Sequence, residues 1–158
     1  MRAQHGVRRA APKDLNRILE IERASFGRDA YDCKLFAHYL RRCSDLFLVA
    51  VVDGRVCGYL IVCIRGIPGD RAELISLAVD PGQRKGGLAS LLLGSALRRI
   101  RRFPVERLHL MVRPGNRPAM ELYRKYGFRR IRRVAAYYED GGDGIAMSLV
   151  LRPGVTLR

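Results

Sequence analysis

The stretch Leu77-Ala78-Val79-Asp80-Pro81-Gly82-Gln83-Arg84-Lys85-Gly86-Gly87-Leu88-Ala89 constrains the fold more than any other part of the chain. An apolar strand, Glu73 to Val79, passes through a proline- and glycine-containing turn into a leucine-rich helix from about Gly87 to Arg102. A helix entered in this way leaves several backbone N–H groups without intrahelical partners, at the positive end of the helix dipole. Such a turn is suited to phosphate. Gly86 and Gly87 let the backbone approach an anion closely, and Arg84 and Lys85 add charge. Taken alone, the glycine pair reads first as a plain loop before a helix, with its cations serving solubility.

The surrounding pattern supplies the other elements. Val7 to Ala10 reads as an opening strand, and Pro12 and Asp14 open a helix carrying Leu15, Ile18 and Leu19 at helical spacing. Leu35, Phe36, Tyr39 and Leu40 repeat that spacing in a second helix. Leu46 to Val52 and Val56 to Ile64 flank Asp53-Gly54, a two-residue hairpin signal. Arg107 to Arg113 alternates, with Leu108, Leu110 and Val112 on one face and His109 and Met111 on the other. A helix from about Arg117 to Tyr126 stops at Gly127, and Phe128 to Tyr138 and Ile145 to Leu151 close the chain as strands around Gly141-Gly142. The predicted order is one strand, two helices, three strands, helix, strand, helix, two strands. No repeat or linker divides it, so residues 1–158 are expected to form one domain, with 1–6 and 152–158 frayed.

Thirty Lys and Arg against fifteen Asp and Glu give a net charge of +15, which favours anionic partners such as nucleic acid, acidic protein or a phosphorylated ligand. It also disfavours polycationic substrates. Cys33, Cys43, Cys57 and Cys63 contain no C-x-x-C pair and are expected to be reduced thiols in the core. His5, His38 and His109 never fall four apart, so no metal site is expected. No apolar run reaches the ~18 residues of a membrane span. A cytoplasmic protein with no membrane association is expected.

Arg84-Lys85-Gly86-Gly87-Leu88-Ala89 matches the R/Q-x-x-G-x-G/A pyrophosphate loop of the GNAT superfamily of N-acetyltransferases. Asn116 to Phe128, which includes Ala119, Tyr123, Gly127 and Phe128, resembles the family's N-x-x-A-x-x-x-Y-x-x-x-G-F segment. The chain therefore resembles that family from about Val7 to Leu151. The resemblance implies an α+β fold of three layers, α/β/α, with a mixed, mostly antiparallel sheet of about six or seven strands and about four helices. It implies acetyl-CoA as cosubstrate. Tyr137-Tyr138 with Asp143 to Met147, and Ile21-Glu22 before Phe26, are similar to the RimI-like subgroup, which acetylates the N-terminal amine of a ribosomal protein. Two positions depart from it. Gly27 to Tyr31 replaces the subgroup's Pro-Trp, and Met111 in Leu110-Met111-Val112-Arg113 stands where its catalytic Glu is found.

By this resemblance, the backbones of Leu77 and Val79 pair with the pantetheine arm, and the N–H groups of Lys85, Gly86, Gly87, Leu88 and Ala89 hold the pyrophosphate beside Arg84. Asn116 is a helix N-cap, a pantetheine contact, or both. Tyr123 is the general acid for the departing thiolate, or an aromatic packed in the core. Glu73 leads as the base and His109 follows it, with Glu139 and Asp140 third; Tyr137, Tyr138 and Glu139 would bind the acceptor. A peptide α-amine titrates near pH 8 and lysine near 10.4, so freeing lysine costs about 3–4 kcal/mol more. With Met111 replacing a carboxylate, an N-terminal α-amine is the expected acceptor. The alternatives are a small-molecule amine acetyltransferase, or an acetyl-CoA-binding or nucleic-acid-binding protein without turnover. Ribosomal docking through the arginines, and a monomer or homodimer, are expected.

Overall fold

The β-branched runs on either side of Asp53-Gly54 form the expected hairpin: β2 (Phe47–Val52) and β3 (Arg55–Arg65) pair antiparallel, with Val52 opposite Arg55. Asp53 (φ 49°) and Gly54 (φ 82°) both lie in the left-handed region, giving the turn whose twist matches that of the strands. The computed structural model describes residues 3–66 and 69–151. The other elements are β1 (His5–Arg9), α1 (Leu15–Phe26), α2 (Cys33–Arg42), β4 (Arg71–Val79), α3 (Leu88–Ile100), β5 (Arg107–Val112), α4 (Arg117–Lys125), β6 (Arg129–Val134) and β7 (Gly144–Val150). Their order is the predicted one. Seven strands, ordered β1-β2-β3-β4-β5-β7-β6, and four helices make the mixed α+β fold that the sequence implies.

Contacts divide the chain into two compact units, Met1–Cys63 with Ile75–Arg102, and Ile64–Leu74 with Phe103–Arg158. In the first, β2 and β3 are buried on both faces. Ile18 and Ile21 of α1 and Phe36 of α2 pack with Phe47, Val49, Tyr59 and Ile61, and the Phe36 and Tyr59 rings meet edge to face at 5.5 Å. The opposite face meets α3. There a Cβ on Gly58 would lie 3.2 Å from Leu92 Cδ1 and 3.1 Å from the Ala78 carbonyl oxygen, so a bare backbone lets helix and strand approach.

In the second unit, β4 and β5 run parallel over Arg71–Glu73 and Arg107–His109, while β5 with β7 and β6 with β7 are antiparallel. Leu108, Leu110 and Val112 of β5 are buried, as their alternation requires. Strand β6 ends the strand order, and its four arginines keep such an edge from pairing with other chains.

Several expectations are corrected. Cys43 and Cys63 form a disulfide with Cα atoms 5.1 Å apart, because the end of α2 and the end of β3 converge, a tertiary fact that cysteine spacing does not encode. Cys33 is exposed; Cys57 alone fits the buried free thiol. His5 and Gly6 pair with Val52 and Val51, so β1 starts earlier than Val7. Strand β6 stops at Val134. Ala136 turns to φ 50° and donates its N–H to Asp143 Oδ1 at 3.0 Å, which places Tyr137 and Tyr138 in the loop to β7. The tail, 152–158, lies outside the described residues.

Candidate active site

The turn after β4 is held by its own side chains. Arg17 of α1 pairs with Asp80 and donates from Nε to the Val56 carbonyl at 2.9 Å. Asp80 Oδ1 accepts from Gly82 N–H at 3.1 Å, and this bond first, then Arg17, holds the carboxyl below the usual carboxylate range. Arg84 folds back: its Nε donates to the Val79 carbonyl at 3.2 Å and its Nη2 to Ser25 Oγ at 3.2 Å. Its charge therefore braces the strand end.

Lys85 (φ 68°) and Gly87 (φ 81°) take left-handed conformations that steer the chain into α3. For Lys85 this costs about 1–2 kcal/mol, strain of the kind that collects at ligand sites. Leu91 N–H bonds the Gly87 carbonyl at 2.9 Å, which leaves Leu88 and Ala89 in the first turn, where amide hydrogens lack intrahelical partners. A glycine-containing turn opening onto a thirteen-residue helix fits a diphosphate. Leu77 is half-buried and Val79 buried at the end of β4.

In the second unit, Asn116 Oδ1 accepts from Ala119 N–H at 3.3 Å, which makes it the N-cap of α4. One turn before Gly127, Tyr123 is buried with its ring 5.6 Å from Phe128. Burial, with Tyr138 adding to it, pushes the Tyr123 phenol well above its ordinary value, so it stays a proton donor. Tyr138 lies under the Arg113 guanidinium at 4.0 Å and edge-on to Tyr137 at 4.9 Å. Arg113 also pairs with Asp140 at 3.1 Å.

A cleft of about 550 Å³ lies wholly within this unit. It brings together Glu73, His109, Met111 and Tyr137. Register explains the meeting: Glu73 is opposite His109 across the parallel pair. A Cβ on Gly144 would lie 2.6 Å from Met111 Cε and 3.1 Å from Tyr137 Cδ1, so both side chains rest on bare backbone. Burial, then the nearby charges of Arg107 and Arg71, lowers the His109 pKa, against a smaller upward pull from Glu73. His109 is accordingly a neutral imidazole at pH 7, able to accept a proton. Glu73 is half-exposed and pairs through Oε2 with Arg65 Nε at 3.2 Å. Tyr138 and Glu139 do not line the cleft.

Sequence reasoning missed Arg65, Arg71, Arg107, Arg132 and Ser148 in this wall. The two-residue period was a signal for some of them, since it puts Arg107 on the face of His109 and Arg71 on that of Glu73. It also missed that Glu22 is buried. Tyr59 Oη donates to its Oε2 and Tyr31 N–H to its Oε1 at 3.1 Å, and desolvation raises its pKa to about 7.

The model of the acetyltransferase (GNAT) family matches residues 14–128. An N-alpha-acetyltransferase of Sulfolobus acidocaldarius is 30% identical over 155 residues, 92% of each chain. Among solved structures, Ard1 from Thermoplasma volcanium superposes with a TM-score of 0.88 at 26% identity, over 94% of this chain and 99% of that one. The ribosomal-protein-S18-alanine N-acetyltransferase of Escherichia coli gives 0.82 at 25% identity, over 98% and 99%. With the phosphate-suited turn, the buried tyrosine and a family match over most of its length, the chain belongs to the GNAT acetyltransferase family.

Proposed function

We propose that this acetyltransferase moves the acetyl group of acetyl-CoA directly to the α-amine of a protein or peptide N-terminus, as one domain over residues 1–158. The observation that carries the reading is the cleft that gathers Glu73, His109 and Tyr137. Similarity across nine-tenths of the chain to an N-alpha-acetyltransferase supports it.

Acetyl-CoA supplies an acyl group already activated as a thioester. The amide hydrogens of Lys85 to Ala89 hold its pyrophosphate, with the backbones of Leu77 and Val79 and the amide of Asn116 along its arm. Glu73, or in its place His109, takes up the proton released as the amine nitrogen bonds to the acetyl carbon. Tyr123, kept protonated by burial, gives its proton to the sulfur as the C–S bond breaks. The acceptor rests on Tyr137, with Tyr138 and Glu139 beside it. An α-amine needs only a weak base here, because it titrates near pH 8.

A ribosomal or other newly made protein is the proposed acceptor, met in the cytoplasm by a monomer or homodimer. Arg98 and Arg99 in the last turn of α3, with Arg101 and Arg102 just beyond it, would contact RNA there. Among the described residues, no helix is long and apolar enough to cross a membrane. The Cys43–Cys63 disulfide is of a kind rare in reducing compartments outside hyperthermophiles, so thiol titration of the protein as isolated checks the location.

The test is a thermal shift with acetyl-CoA, followed by thiol release on peptides with Ala, Ser or Met amino termini and on an amino-blocked peptide with an internal Lys. A cofactor shift with turnover on the free α-amines is expected. No shift at saturating acetyl-CoA overturns the reading.

A further inference from the structure

The cleft carries four guanidinium groups, those of Arg65, Arg71, Arg107 and Arg132, against the single carboxylate of Glu73. Arg65 is paired with that carboxylate. Arg71, Arg107 and Arg132 make no ion pair among the described residues. Arg71 stands directly opposite Arg107 across the parallel pair, two residues before Glu73 and His109 on the same face. Like charges opposite one another destabilise a sheet, so the fold gains nothing from this arrangement. Nearby on β7, opposite His109, the buried Ser148 hydroxyl has no hydrogen-bond partner among the described residues. Buried polar groups are ordinarily satisfied. The cleft therefore has unused donors for a carboxylate next to groups suited to an amine.

We propose that the cleft selects acceptor N-termini in which Asp or Glu follows the reacting amine within the first few residues. This rests on the N-terminal acetyltransferase reading above. The amine meets Glu73 and neutral His109, while the following carboxylates run along Arg71, Arg107 and Arg132. Met111, Ile131 and Met147 make part of the wall apolar, which suits a short peptide better than a nucleic-acid backbone. A space of about 550 Å³ takes a few residues and no folded partner.

The experiment uses the full chain with acetyl-CoA and a set of peptides of equal length that begin with Ser. Positions two to four carry Asp and Glu, Ala and Gln, or Lys and Arg. The acidic peptides are expected to give kcat/KM about tenfold above the neutral ones, the yield of two or three partly exposed ion pairs, with the advantage shrinking as salt is raised. Basic peptides should fall below neutral. In Arg71→Gln and Arg132→Gln the acidic-to-neutral ratio should drop towards one, with the acetyl-CoA thermal shift retained as the check on folding. Should either variant fail to fold, the wild-type ranking decides. Equal rates on all three sets, a preference for basic peptides, or an undiminished ratio in folded variants overturns the proposal. So does a short single-stranded RNA that blocks turnover of the neutral peptide more strongly than the acidic peptide does. Turnover of no peptide, with the cofactor shift intact, instead overturns the transferase reading on which it rests.

Discussion

The turn after β4 and the cleft beside β5 use arginine in opposite ways. At the turn each guanidinium is occupied by the protein: Arg17 by Asp80 and the Val56 carbonyl, Arg84 by the Val79 carbonyl and Ser25. Side chains there fix a backbone shape, and in the proposed function it is the backbone that meets the diphosphate. In the cleft, Arg71 and Arg107 stand side by side with no ion pair among the described residues, and the proposed recognition falls to side chains. In the proposed reading the diphosphate is the same in every turnover, so a cradle of amides serves it. Acceptors differ in sequence, and a wall of side chains can discriminate between them.

Two acids of the first unit are buried, Asp14 and Glu22. Arg8 pairs with Asp14, so the pH dependence of this unit's stability should be set mainly by Glu22. Glu22 has its pKa raised to about 7 by desolvation, above the ordinary 4.5. A folded-state value raised in this way means stability is fully present below pH 4.5 and is lost as pH rises towards 7 and beyond, because the folded protein holds the proton longer. The loss is on the order of 3 kcal/mol at about 1.4 kcal/mol per pKa unit. In Glu22→Gln the slope should vanish, and comparing the two pH profiles of denaturant midpoint cancels any hydrogen bond the amide fails to remake. Parallel profiles would refute the assignment.

Next in size is Tyr123→Phe. Removing a positioned general acid should lower kcat about 100-fold. The acetyl-CoA thermal shift should stay where it was, because the ring still packs on Phe128. An unchanged kcat takes the acid role from Tyr123. For the turn, Gly87→Ala forces a side chain into φ 81°, where nothing lies within 4 Å of the new Cβ. The penalty is therefore conformational, about 1–2 kcal/mol, and should appear as roughly tenfold weaker acetyl-CoA binding by calorimetry.

Much of this contrast was legible in the sequence and some of it could not be. Periodicity gave every element in order, because Leu88, Leu92, Leu93, Ala96 and Ile100 must share a helix face and Leu108, Leu110 and Val112 a strand face. The turn was legible because Gly86 and Gly87 sit where a strand becomes a helix. The Cys43–Cys63 bond and the early end of β6 were not, since one depends on which chain ends converge and the other on an alanine, Ala136, taking a glycine-like conformation. The charged wall was half legible: Arg107 and His109 alternate within one strand, but Arg71 joins them only through a register that no local pattern states. Glu22 enters the sequence reading only beside Ile21 in a family resemblance, because the groups that bury it, Tyr59 and Tyr31, come from outside α1.

The smallest effect is also the one that separates the two candidate bases. Burial and the charges of Arg107 and Arg71 lower the His109 pKa, while Glu73 opposes them. If His109 takes the proton, the acidic limb of kcat/KM against pH reports its titration in the free enzyme. Replacing Arg107 by Gln removes a positive neighbour, makes the imidazolium easier to form and should move that limb to higher pH by a few tenths of a unit, the scale of a partly screened charge. Glu73→Gln removes the opposing carboxylate and should move it the other way. If Glu73 itself is the base, the second variant abolishes the limb rather than shifting it. The direction of two small shifts therefore decides which side of the parallel pair does the chemistry.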